Sequence, residues 1–300
     1  MKDNLKRAKK EKSDEFYTQL IDIEKEMIFY EHHFNNKIIY CNCDNEKSNF
    51  LVYFEINFER LNLKRLICTH YNKEVTSYKI EYFKENNVLK KIKTQLTDNG
   101  DFRSKECIEI LKQSDIIITN PPFSLFREYV SQLIEHDKKF IILGNQNAIT
   151  YKEIFPLIKD DKMWLGASIH SGDREFQVPQ DYKIRTKAFR EDEDGNKYIR
   201  VPSVRWFTNL EYEKRHEVLI FTEQYNPEKY PKYDNCDAIE VSKTKEIPLN
   251  YDGMMGVPIT FLDKYNPEQF EIIRFRKGDD GRDVSINGKC PYFRILIKRK

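Results

Sequence analysis

The chain has 300 residues, 39% hydrophobic and 13% aromatic, with 51 basic against 49 acidic side chains and a net charge of +2. That apolar share is enough to bury a core, so wholesale disorder is excluded, and no apolar run approaches the roughly 18 residues of a membrane span. The near balance of charge announces no nucleic-acid partner by itself. The start, MKDNLKRAKKEKSDE, has no apolar stretch behind it, so a cytoplasmic protein without a secretory leader is expected.

Residues 1–13 read as a basic leader, a solvated terminus or a binding arm. Phe16, Leu20, Ile23 and Met27 then recur at helical spacing. KIIYCNCD reads as a strand, and Ser48-Asn49-Phe50 opens an amphipathic helix through NFLVYFEINFERL. LKRLICTHY is a second strand, followed by two strands, YKIEYFKE and LKKIKTQLTD, joined at a turn on Asn86-Asn87. Asp98-Asn99-Gly100 is a further turn signal. SKECIEILKQS is a helix with Ser104 as N-cap, DIIIT an apolar strand, LFREYVSQLIEH a helix, and KKFIILGN another apolar strand.

Near-continuous Ile, Leu and Val strands alternating with helices predict an α/β fold, with a mostly parallel sheet between about residues 30 and 150, covered on both faces. From about residue 160 the texture becomes β-rich. MWLGASI, YIRVPSVRWF, EVLIFTEQY and PYFRILIKRK read as strands between charged loops, and are expected to finish the sheet and form one wall of a cleft. The six cysteines include a C-x-C pair, Cys41 and Cys43, but no C-x-x-C knuckle. Reduced, buried thiols are expected, with no disulfide framework and no metal. The His32-His33 pair has no metal-like spacing with carboxylates and reads as structural.

Ligands of open α/β sheets bind beyond the carboxyl ends of the strands. Three such ends carry chemistry: Asp44, Asp101-Phe102, and Asn120-Pro121-Pro122-Phe123. Proline lacks an N–H and fixes φ, so Pro121-Pro122 makes a stiff extended turn. On that frame the Asn120 side-chain oxygen and the Pro121 carbonyl are two acceptors suited to an exocyclic amino group, and Phe123 offers a face for a planar base. A bare Asn-Pro-Pro-Phe also occurs as a strand-ending turn; its place after an apolar strand in an α/β pattern favours the functional reading. Local chemistry does not choose between adenine N6 and cytosine N4. Later, Lys183, Arg185, Lys187, Arg190, Arg200 and Arg205 are interleaved with Tyr182, Phe189, Tyr198 and Trp206. That mix suits a surface tracking phosphates and base edges, or equally a charged β-hairpin.

DIIITNPPFS resembles the catalytic motif of amino-group methyltransferases that use S-adenosylmethionine. Together with FYTQLIDIEKEM, IIYCNCDNEKSNF, GDFRS and GVPITFLDKYNPEQFEI, it resembles the adenine-specific DNA methyltransferases of the EcoRI type, from about Asp14 to the C-terminal strand. The resemblance implies a Rossmann-like class I methyltransferase sheet in a cofactor-binding and catalytic domain over 14–160. Residues 161–300 would hold the target-recognition region and the completion of the sheet. It implies methyl transfer to N6 of a flipped adenine in double-stranded DNA, for restriction-modification or for protection of phage or host DNA, with a restriction endonuclease as functional partner. Asn120, Pro121, Pro122 and Phe123 would hold the base. Asp101 would accept from the cofactor's adenine amino group with Phe102 packed on the ring, Asp44 would meet its methionine ammonium, and Phe16, Tyr17 and Thr18 would complete the methionine pocket. The turn after the first strand, CNCDNEKSNF, has no glycine, and the second strand ends Thr69-His70-Tyr71-Asn72 with no acid for the ribose. A methyltransferase of RNA or protein glutamine, and a catalytically silent relic of the fold, are the competing readings.

Overall fold

The computed structural model describes residues 17–72, 77–168, 174–178, 180, 182 and 188–300. The chain divides into two units, Met1–Tyr151 with Ser171–Leu210, and Lys152–His170 with Glu211–Lys300. Residue 160, the division expected from the sequence, falls within the first stretch of the second unit. The basic leader and Phe16, Lys183, Arg185 and Lys187 lie outside the described residues.

In the first unit seven strands lie side by side: β1 (Ile38–Cys41), β2 (Arg65–Thr69), β3 (Tyr78–Glu85), β4 (Val88–Gln95), β5 (Ile116–Thr119), β6 (Lys139–Asn145) and β7 (Val204–Thr208). Their order is β4-β3-β2-β1-β5-β6-β7. The central four, β2, β1, β5 and β6, are parallel. The β3–β4 hairpin and β7 run antiparallel to them. Almost every residue of the central strands is buried, which is why they read as unbroken apolar runs rather than alternating ones. β4 carries Lys90, Lys91 and Lys93 and is exposed along nearly its whole length, a charged margin that blunts further strand pairing. Asn86 and Asn87 both take positive φ, 52° and 62°, the two-residue geometry that matches the twist of a hairpin.

Four helices belong to this unit: α1 (Leu20–Met27), α2 (Asn49–Ile56), α3 (Lys105–Gln113) and α4 (Phe126–Glu135). Ser48 and Ser104 cap α2 and α3, accepting from Phe50 N and Cys107 N at 3.2 Å each. The helical period expected from Phe16 holds only from Leu20. Tyr17–Thr18 are extended and pair antiparallel with Gln177 and Phe176 in a small second sheet, with Arg174–Val178, Lys197–Val201 and Phe189–Glu191. Gly144 in β6 admits no side chain: an added Cβ would lie 2.5 Å from the Phe126 ring and 2.9 Å from Phe207. Phe126, the first residue of α4, seats itself there.

The second unit holds a five-stranded sheet, Lys232–Tyr233, Cys236–Glu240, Met254–Pro258, Arg294–Arg299 and Phe270–Phe275 in spatial order. This corrects the expectation that the C-terminal strands complete the first sheet: Arg294–Arg299 pairs with Met254–Pro258 and Phe270–Phe275 instead. From the later half it is β7 that extends the sheet of the first unit. EVLIFTEQY forms no regular strand, because the Gln269 amide takes the place of a ladder there, accepting from Leu219 N at 2.6 Å and donating to its carbonyl at 3.1 Å. Arg294 and Glu240 form a buried fork, Nη2 to Oε1 at 2.6 Å. Among the described residues no helix is long and apolar enough to cross a membrane. All six thiols are free, four of them buried.

Candidate active site

The strand order reverses at β1. The chain leaves β1 toward β2, β3 and β4, then returns to place β5 on its other side. Such a switch point opens a crevice at the carboxyl ends of the two adjacent strands. The residues standing there are Asn42 to Asp44 after β1, and Thr119 to Phe123 at and after β5.

Asp44 is the centre of this end of the sheet and only 7% exposed. Ser48 Oγ donates to its Oδ1 and Thr119 Oγ1 to its Oδ2, both at 2.5 Å. Its backbone is fixed as well, with Asp44 N donating to Thr69 O and Cys68 Sγ to Asp44 O at 2.9 Å. Burial pushes its carboxyl up from 3.8 to about 6, against the two hydroxyl hydrogen bonds, which pull it down. One carboxylate thereby joins the loop after β1, the first turn of α2 and the end of β5.

Asn42 Oδ1 accepts from the buried Tyr129 hydroxyl of α4. Asn42 Nδ2 and Thr18 Oγ1 are buried donors with no partner among the described residues. Buried polar groups are nearly always satisfied, so these two atoms call for a polar ligand. The segment bearing Thr18 is tied to the Asp44 loop: Asn49 Nδ2 donates to Thr18 O at 2.7 Å, and Asn45 Nδ2 to the Tyr17 hydroxyl at 2.9 Å. An acid and an orphaned donor on one loop, with a second orphaned donor on the segment tied to it, fit the ammonium and carboxylate of an amino-acid moiety.

Asn120 follows directly on Thr119 and is half-buried, as are Pro122 and Phe123, while Pro121 is buried. Pro122 is extended, with φ −55° and ψ 120°, and a single 3₁₀ turn, Phe123–Leu125, leads into α4. The stiff extended turn expected from the sequence is therefore the observed backbone.

Asp101 follows Gly100, whose φ of +74° and closeness to the His70 carbonyl exclude any side chain: an added Cβ would lie 2.1 Å from that oxygen. Asn72 N donates to Asn99 O at 3.0 Å, so the loop after β2 and the turn before Asp101 are joined. The Asp101 carboxylate is engaged by Arg103, which donates from Nε at 2.8 Å, Nη2 at 2.7 Å and the backbone N at 2.9 Å. Phe102 is buried edge-on against Tyr129, with ring centroids 5.1 Å apart. Its ring is part of the core. Burial lowers the pKa of His70, in keeping with a structural neutral ring.

The arginines separate. Arg205 is 3% exposed within β7, opposite Gly144, and Trp206 beside it packs on Phe50. This corrects its reading as a surface phosphate contact: all five residues of that central-sheet neighbour are buried. Arg190 and Arg200 are exposed on the small sheet. Arg190 donates to Glu175 at 2.7 Å and lies 4.3 Å from the centre of the Tyr198 ring. These residues, with Asp22 and Arg174, line an open concavity of about 590 Å³. Sequence reasoning missed Asn42, Thr119 and Tyr129, and found Ser48 only as a helix cap. Among the described residues no group of His, Cys, Asp and Glu is placed to hold a metal.

Residues 4–300 match the family described as "Adenine-specific methyltransferase EcoRI". The chain is 54% identical to the Type II methyltransferase M.EcoRI of Escherichia coli, over 99% of this chain and 96% of that one. It is 40% identical to the Type II methyltransferase M.MgeORF184P of Mycoplasma genitalium, over 98% of both chains. To M.MpnI of Mycoplasma pneumoniae, also a Type II methyltransferase, it is 39% identical over 98% of this chain and 97% of that one. No solved structure matches.

Proposed function

The chain belongs to the adenine-specific methyltransferase EcoRI family, and from that premise we propose that it transfers a methyl group from S-adenosylmethionine to N6 of an adenine flipped out of duplex DNA at a specific site. The observation that carries this reading is the junction of Asp44 with Thr119-Asn120 across two adjacent parallel strand ends. A cofactor-side acid and the amine-accepting tetrapeptide belong to one crevice. The order reversal at β1 supports a Rossmann-like class I sheet, since right-handed crossovers put α2 and α4 on opposite faces.

The cofactor supplies an electrophilic methyl on a sulfonium. Asp44 would take its ammonium, and the orphaned Asn42 Nδ2 and Thr18 Oγ1 its carboxylate. Asp101 would exchange part of its Arg103 contact for the cofactor's adenine amino group. Asn120 Oδ1 and the Pro121 carbonyl would accept the two N6 hydrogens, holding the nitrogen lone pair in line with the methyl carbon. Methyl transfer to the nitrogen would make its proton acidic, Asn120 Oδ1 or the Pro121 carbonyl would hold that N–H until solvent water takes the proton, and no strong base would be needed before attack. Phe123 would stack on the base, which must leave the duplex because its amino group is otherwise paired. Arg190 and Arg200 would meet backbone phosphates, which position the duplex without reading it. The names of the relatives support a Type II setting; a restriction endonuclease as functional partner and a cytoplasmic location belong to the same proposal.

The test is incubation of the purified protein with S-adenosylmethionine and mixed-sequence DNA, then digestion to nucleosides and mass spectrometry. N6-methyladenine at one short sequence is expected. N4-methylcytosine would overturn the choice of base, and methylated RNA or protein with unmodified DNA would overturn the DNA reading.

A further inference from the structure

Thr119 ends β5, is fully buried, and donates its hydroxyl to Asp44 Oδ2 at 2.5 Å. Its main chain continues directly into Asn120. Asp44 in turn accepts from Ser48, which caps α2 and has no covalent path to the tetrapeptide shorter than the intervening strands. The two hydroxyls thus hold the same carboxylate from different sides, and one of them is part of the catalytic strand.

We propose that Thr119 is a positioning residue whose hydroxyl carries the state of the Asp44 carboxylate to Asn120, so that seating the cofactor's ammonium on Asp44 sets the tetrapeptide for the target base. The inference rests on the assignment of Asp44 to the cofactor made above. An ionised Asp44 accepts from Thr119 and fixes the strand end. A protonated Asp44 carries its proton on one of these two oxygens, so one of the two hydroxyls must turn from donating to accepting. The ammonium favours the ionised form, which links cofactor loading to readiness for the base.

The buried thiols and the phenol coupled to Asp44 do not change charge near neutrality. Cys41 and Cys43 on and after β1, Cys68 on β2 and Tyr129 on α4 are all pushed upward by burial and stay neutral. Thr119 and Ser48 do not titrate. Loss of the Thr119 hydrogen bond removes a contact that favours the charged carboxylate, so the Asp44 midpoint must move up.

The experiment uses the full chain with S-adenosylhomocysteine as a non-reacting probe. Affinity is measured calorimetrically from pH 5 to 7, where the ligand's α-amino group stays protonated, and turnover is measured separately at saturating cofactor on methylatable DNA. Wild type should lose affinity as pH falls through about 6. Thr119→Val should move that midpoint up and cut kcat about tenfold or more, in line with the cost of small misplacements. Thr119→Ser should restore both. Ser48→Ala should move the midpoint the same way with a smaller loss of kcat, since Ser48 is not on β5. If Thr119→Val does not fold, Thr119→Cys replaces it with the same direction expected.

Wild-type kcat and midpoint in Thr119→Val would overturn the proposal. So would a serine variant as impaired as the valine one, or equal kcat losses in Ser48→Ala and Thr119→Val. Failure of the wild type to bind the probe at any pH would instead overturn the cofactor assignment.

Discussion

Replacing Asp44 by asparagine should make the protein more stable and less able to bind its cofactor. Burial raises the carboxyl from 3.8 to about 6. The native state therefore holds the proton more tightly than the unfolded chain does. The stabilisation this gives is complete below the unfolded value and is lost as pH rises through about 6. At about 1.4 kcal/mol per pH unit, the ionised carboxylate costs the native state about 3 kcal/mol at pH 8. Asparagine carries no charge and can still exchange hydrogen bonds with the Ser48 and Thr119 hydroxyls, which rotate to accept or donate. Urea unfolding of wild type and Asp44→Asn should differ by up to about 3 kcal/mol in favour of the variant at pH 8. The gap should fall to about half at pH 5 and nearly close by pH 4. Calorimetry with S-adenosylhomocysteine should show binding weakened at least about tenfold, the loss of one charge-assisted contact. A variant less stable than wild type at pH 8, or a gap that does not change with pH, would refute the account of Asp44 as a strained buried acid.

Asn120→Ala should leave calorimetric cofactor binding nearly intact while the methyl-transfer rate collapses; near-normal turnover would contradict the role of the tetrapeptide. Phe123→Trp keeps a π-face and should retain activity, whereas Phe123→Ala should weaken capture of the base by about 1–3 kcal/mol in DNA-binding assays. Asp101→Ala should weaken cofactor binding by about 1–3 kcal/mol, and an unchanged dissociation constant would show that the Arg103 fork is its only function. Gly144→Ala forces the Phe126 ring from its seat and should cost about 1–3 kcal/mol in thermal or urea unfolding.

The parts legible in the sequence were those decided by neighbours along the chain. Asn86-Asn87 needed only local backbone preference to become a hairpin. Ser48 and Ser104 needed only a free helix N–H. The apolar run before Asn120 announced a buried strand, and the prolines fixed what followed. What stayed hidden depends on which distant segment arrives. Arg205 carries the same charge as Arg200, yet its strand pairs with β6 and is buried while the other lies on an exposed sheet. Nothing near Phe102 in the chain announces Tyr129, 27 residues on and lying edge-on to its ring. The Ser48–Asp44 and Thr119–Asp44 bonds span 4 and 75 positions. The first fell within reach of a local reading that stopped at the cap, and the second required the strand order.

The pairing of Tyr17–Thr18 with Phe176–Gln177 has a consequence for how the chain is made. These partners stand about 160 positions apart, and β7, at Val204–Thr208, closes the edge beside β6 later still. Contacts of such sequence separation form slowly, because a long loop must close before any of them is gained. During synthesis the ribosome must therefore release more than half of the polypeptide before the segment bearing Thr18 can find its strand partner. A nascent chain halted near residue 150 would present the central strands with Tyr17–Thr18 unmatched, a species exposed to aggregation. The methionine pocket proposed for Thr18 would be completed late, after most of the peptide bonds have been made.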